Sequence, residues 1–223
     1  MRRARVLAWM PLFLMLAIAS PALATSVTVQ ISGTWDSVMD SAGVLDCSVV
    51  ACDSFTVTLV YDDSAEDQDP SGGFGSYFTA AANSDLSVLT GNYSFSPGSD
   101  VGVGVENDNE FGEDQTFSHA EGYTASGLPI GVGTGPITFA DVTLTDSSGT
   151  AHIDDALEGL NWTLGAYDGA FFHLFVQITG AGPGQQSLDF QGTINQIQIL
   201  PEPSVTGLAG LFAVLLLGLR CRV

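Results

Sequence analysis

Two stretches of this chain concentrate oxygen donors at spacings that could hold a hard cation. Residues 61–77 read YDDSAEDQDPSGGFGSY and residues 105–115 read VENDNEFGEDQ. In the first, Asp67, Asp69, Ser71 and Gly72 fall at positions 1, 3, 5 and 6 of a calcium loop, which needs clustered oxygens and a glycine for its sharp turn. Position 12, where a bidentate Glu belongs, is Phe78, and Pro70 stiffens the loop. Asp67, Asp69 and Ser71 thus form an incomplete calcium candidate, set against the plainer reading of a solvated acidic turn. In the second stretch Glu106, Asp108, Glu110, Glu113 and Asp114 supply oxygens, but the glycine comes one residue late.

Other residues offer less. His152-Ile-Asp154-Asp155 is half of a metal or acid–base constellation with no second His beside it. His173, inside FFHLFVQ, reads as a strand histidine hydrogen-bonded in place, and nothing in the sequence suggests a partner for His119. No Gly-x-Ser-x-Gly, His-Glu-x-x-His or phosphate-cradling loop occurs, so no catalytic residue is assigned. A glycan platform would want exposed aromatics, for which Trp35, Trp162, Tyr77 and Tyr123 are candidates, although burial is the default for Trp. Ice binding would want a flat repeated Thr array. The chain has Thr56-Val-Thr58 and Thr143-Leu-Thr145 without a repeat.

The elements that must carry these residues read as strands. Apolar residues alternate in VTVQISG (Val27, Val29, Ile31), FTVTLVY (Phe55, Val57, Leu59, Tyr61) and VGVGVEN (Val101, Val103, Val105). ITFADVTLTD continues the pattern with a phase slip expected around Ala140. FFHLFVQITG is apolar on both faces at its start and is expected to be central. SLDFQGTINQIQIL changes phase near Asn195 and Gln196, which predicts a bulge or bend. Gly91-Asn92 sits where a tight hairpin turn is needed. No amphipathic run reaches helix length. The expectation is an all-β fold, a single antiparallel β-sandwich over residues 25–200.

Composition narrows the partners. The chain holds 25 Asp and Glu, and one of them, Glu202, lies beyond residue 200, which leaves 24 in the body. All five basic residues are Arg2, Arg3, Arg5, Arg220 and Arg222, so residues 25–200 contain neither Lys nor Arg. Nucleic acid is excluded as a partner, because neutralising phosphates requires Lys and Arg. An anionic membrane surface is disfavoured for the same reason. The carboxylates must stay hydrated, accept hydrogen bonds from backbone and hydroxyl donors, or bind cations. Cys47 and Cys52, in DCSVVACD, are expected to form a structural disulfide in an oxidising compartment, closing a small loop worth about 2 kcal/mol.

The two ends read as addresses. Arg2, Arg3 and Arg5 precede the apolar run Val6 to Ala19, and Ala22-Leu23-Ala24 supplies a small-x-small cleavage site, so residues 1–24 are expected to be a signal peptide. The last 23 residues read PEPSVTGLAGLFAVLLLGLRCRV. Pro201-Glu202-Pro203 is stiff and extended. The fifteen residues Val205 to Leu219 would form a helix of about 22 Å, a marginal membrane span. Arg220 and Arg222 are expected to stay cytoplasmic. This order of Pro-Glu-Pro, apolar helix and basic tip resembles the PEP-CTERM sorting signal. The resemblance implies a Gram-negative bacterium that makes exopolysaccharide, and processing by the membrane protease-transpeptidase exosortase. It also implies transient inner-membrane anchoring followed by delivery to the cell surface or extracellular matrix. The run DVTLTDSSGTAHIDDALEGLNW (residues 141–162) more loosely resembles the body domain of many such proteins. The expected role is non-enzymatic, associated with exopolysaccharide. The alternatives are a carbohydrate- or ice-binding module or, with least support, a hydrolase.

Overall fold

The computed structural model describes residues 26–46, 49–69, 73–182 and 184–201. The fold is all-β. Its strands are β1 (Ser26–Asp40), β2 (Ser54–Asp62), β3 (Phe74–Thr79), β4 (Asp85–Thr90), β5 (Tyr93–Ser96), β6 (Val101–Glu106), β7 (Asp114–Glu121), β8 (Thr124–Ser126), β9 (Gly133–Asp146), β10 (Gly169–Thr179) and β11 (Gln186–Leu200). Among the described residues the helical content is one 3-10 turn, Leu164–Ala166. All strands join one antiparallel sheet in the order β3-β6-β7-β9-β10-β11-β1-β2-β4-β5-β8.

The sheet is open and strongly curled, and chain connectivity requires the curl. Glu121 ends β7 and Thr124 begins β8, yet these strands stand eight places apart in the sheet. A flat sheet would separate them by about 38 Å at about 4.8 Å per strand. The intervening chain reaches no more than about 11 Å. The ends of the sheet therefore turn toward each other and enclose one face. Across the enclosed space Phe95 of β5 meets Phe190 of β11 with ring centroids 5.9 Å apart. The Tyr123 hydroxyl donates to the carbonyl of Leu86 at 2.6 Å.

The core follows from period-two alternation. Val29, Ile31, Val57, Leu59, Val101, Val105, Val142, Leu144, Leu174 and Phe190 are fully buried on the inner face. Trp35 packs against Phe55, Phe172 and Phe190 and donates its indole N–H to Thr90 Oγ1 at 2.8 Å. Trp162 donates to the Tyr61 hydroxyl at 2.9 Å, and burial pushes that phenol up to about 12.

Local expectations resolve in detail. The β1–β11 register shifts between Ser32↔Gln196 and Gly33↔Ile194, so Asn195 is the extra residue of the expected bulge. Gly91 and Asn92 form the two-residue β4–β5 loop, with Gly91 at φ 53°. Strand β10 is interior to the sheet, between β9 and β11. One expectation fails: β9 has no phase slip at Ala140. Thr138, Ala140, Val142 and Leu144 point inward without interruption, while Ile137 and Phe139 belong to the outer face. The apolar residues that mimic a slip are outward-facing aromatic and aliphatic groups.

Two carboxylates are buried at one end of the sheet, where Asp114 of β7 pairs in register with Asp146 of β9. Asp114 accepts the backbone N–H groups of Asp108 (3.0 Å) and His152 (2.7 Å). Asp146 accepts the Ser148 N–H and hydroxyl at 2.9 and 2.7 Å and the Thr150 N–H at 2.8 Å. These bonds, those of Ser148 first, hold the Asp146 carboxyl well below its usual range. In a body without Lys or Arg, backbone and hydroxyl donors stabilise buried negative charge.

Candidate functional site

Among the described residues the sequence candidates do not converge. Asp67 Oδ1 accepts the N–H groups of Asp69 and Ser76, both at 2.9 Å, and Asp67 bridges Tyr77 at the edge of β3. Its carboxylate thus closes a turn, and Ser71, the third calcium candidate, lies outside the described residues. His152 bonds Thr116 Oγ1 at 2.9 Å, whereas Asp154 accepts the Ala156 N–H and Asp155 that of Gly73. Among the described residues no group of three or more His, Cys, Asp or Glu side chains is placed to hold a metal ion. Cys52 is exposed at φ 76°; its expected partner Cys47 lies outside the described residues. So do Glu202, Pro203, Arg220 and Arg222, while Pro201 is the last residue described. None of the Trp and Tyr side chains considered for a glycan platform is available: Trp35, Trp162, Tyr77 and Tyr123 are all buried in the core.

Among the described residues the exposed aromatics are Phe78 of β3, Phe171 of β10 and Phe111 in the loop between β6 and β7, and the half-buried Phe117 of β7 and Phe139 of β9 share the outer face of the sheet. Phe117 and Phe171 are both register partners of Thr143, from opposite sides. Two strand spacings place their backbones about 10 Å apart. An open groove of about 350 Å³ lies over Thr143, lined by Gln115, Phe117, Asp141, Phe171 and His173. Phe171 is 58% exposed and Phe117 half-buried.

Glycines set the attitude of these rings. A Cβ on Gly104 would collide with the Phe117 ring, its cross-strand partner. One on Gly102 would lie 3.1 Å from Phe78 Cε1, and one on Gly169 would lie 3.4 Å from Phe171 Cε2. Each ring rests over a glycine; Phe78 and Phe171 are exposed, whereas Phe117 is half-buried. The VGVGV run, whose glycines carried no role in the sequence, supplies two of these supports.

Beside the groove runs a row of titratable groups. His119, Asp141 and His173 are successive register partners on β7, β9 and β10. His119 Nδ1 lies 2.5 Å from Asp141 Oδ1 and its Nε2 lies 3.3 Å from Glu121, and the Asp141 bond above all raises the imidazole's pKa. His173 Nε2 lies 3.0 Å from Asp189. Phe139 links the row, with its ring 6.2 Å from His119, 5.3 Å from His173 and 5.5 Å from Phe175.

At its loop end the groove opens into a second, larger hollow of about 660 Å³ that includes Phe74, Glu106, Asp108, Glu110 and Glu113. Gln115 lines both hollows, and Phe74 stacks on Phe117 at 5.9 Å. The chemistry on offer is stacking on aromatic faces, with amide, hydroxyl, imidazole and carboxylate groups at the rim. Compared with family models, with curated proteins and with solved structures, the chain matches none.

Proposed function

We propose that this chain is an exported, non-enzymatic protein of a Gram-negative cell surface or extracellular matrix, whose curled sheet, a β-sandwich in its finer architecture, binds polysaccharide. Residues 1–24 direct export. Pro201-Glu202-Pro203, the apolar run and the arginine tip hold the chain at the inner membrane until exosortase releases it. The order of those three features supports the sorting part. The observation that carries the binding part is the open groove between Phe117 and Phe171, floored by Thr143 and rimmed by Gln115, Asp141 and His173. Sugar rings offer apolar C–H faces and equatorial hydroxyls, which suit aromatic stacking and such a polar rim.

Two measurements test this. Intact mass and cell fractionation, with and without the processing enzyme, should show the native protein outside the cell lacking both ends. A product outside the cell that retains Arg220 and Arg222 would overturn the sorting part. The protein should also be retained on at least one immobilised polysaccharide, and Phe171→Ala should release it; retention on none would overturn the binding part.

A further inference from the structure

The groove and the acidic hollow beside it form one continuous surface, and their charge selects among glycans. The hollow brings Glu106, Asp108, Glu110 and Glu113 to the mouth of the aromatic groove, joined to it through Gln115 and the Phe74–Phe117 stack. No Lys or Arg is present anywhere in residues 25–200 to offset them. The possible cations on this face are His119 and His173, and each is already set against a carboxylate. An anionic polymer, or a second copy of this acidic chain, would meet uncompensated like charge. A neutral glycan could stack on the rings and donate hydroxyl hydrogen bonds to the carboxylates but would leave their negative charge uncompensated. A polymer with apolar ring faces and positive charges would use both.

We infer that the outer face binds a polysaccharide bearing free amino groups, its rings stacked on Phe117 and Phe171 and its ammonium groups met by the carboxylates around Glu106 and Glu113. This rests on the polysaccharide reading above and adds the chemical class. An ammonium donates hydrogen bonds to carboxylates and is drawn to aromatic faces, so both halves of the surface favour it. Electrostatic attraction alone would spread such a polymer over the whole acidic body. The aromatic groove would fix its place.

The experiment titrates the full-length chain with a hexamer of β-1,4-linked glucosamine and with its fully N-acetylated counterpart, under conditions that protonate the free amines. The expected result is binding of the amine hexamer at least tenfold tighter than the acetylated one. Phe171→Ala, at an exposed position that does not threaten folding, should weaken it roughly tenfold, equivalent to 1.4 kcal/mol. Phe117→Leu should weaken it less. The combined Glu106→Gln and Glu113→Gln change should erase the preference for the amine form and leave the acetylated hexamer unaffected. If the amine hexamer binds equally well to the Phe171→Ala chain, it is adsorbed by charge alone and the inference falls. If the acetylated hexamer binds as tightly as the amine form, through Phe171, the inference falls while the polysaccharide reading stands. If neither binds, and no immobilised polysaccharide retains the protein, both fall.

Discussion

His119 and His152 are predicted to titrate in opposite directions from the ordinary 6.5. The hydrogen bond to Asp141, aided by Glu121, raises His119; burial beside Thr116 lowers His152. Their effects on stability differ in sign. The contribution from His119 is fully present below 6.5 and is lost as pH rises through its raised folded value. That from His152 is present above 6.5 and is lost as pH falls through its lowered folded value. Imidazole NMR titration checks this, and coincident midpoints would refute it. Tryptophan and phenylalanine differ as sharply. Trp35 is 1% exposed among three phenylalanine rings, so Trp35→Ala should cost about 3–5 kcal/mol in denaturant unfolding. Phe171→Ala should cost less than about 1 kcal/mol in stability while weakening polysaccharide binding roughly tenfold. Equal costs would mean that Phe171 is a packing residue.

The strands of the outer face are coupled through ring-over-glycine pairs. Gly104 of β6 and Phe117 of β7 are register partners, and the ring occupies the space a Cβ would need. Gly104→Ala should therefore destabilise the protein by about 1–3 kcal/mol, as overpacking does. In the Gly104→Ala, Phe117→Ala double variant the clash is gone, so the combined cost should fall below the sum of the single costs by about 1 kcal/mol or more. Strict additivity would show that ring and glycine do not share that space. On β10 the Phe171 ring lies over Gly169 in the same way, while Ile137, Phe139 and Phe175 also face outward on strands whose inner faces are filled by buried residues.

Charge dominates the behaviour of the molecule as one body. With 24 carboxylates and no Lys or Arg in residues 25–200, burial and the backbone ladder must hold the sheet together against self-repulsion. Salt screens that repulsion, so the melting temperature should rise by about 5 °C or more between low salt and about 0.5 M NaCl. A flat or falling curve would contradict it. The same composition removes every tryptic site from the processed product. A protein that has lost both ends should survive trypsin intact even after denaturation, with intact mass as the readout, and any cleavage would show that a basic end was retained.

Strand positions, the Asn195 bulge, the Gly91 turn and the absence of Lys and Arg are local or compositional facts. Period-two burial and turn chemistry express them within a few residues, so they could be read directly from the chain. The groove could not. Its walls, Phe117 and Phe171, lie 54 positions apart in sequence and meet across Thr143 through the order in which β7, β9 and β10 pair, which no local pattern specifies. In the folded sheet Trp35, Trp162, Tyr77 and Tyr123, the candidates for a glycan platform, are buried, which for Trp is the default. The rolling of the sheet left phenylalanines outside on glycine supports, because an enclosed face of limited area must exclude some of the chain's aromatic rings.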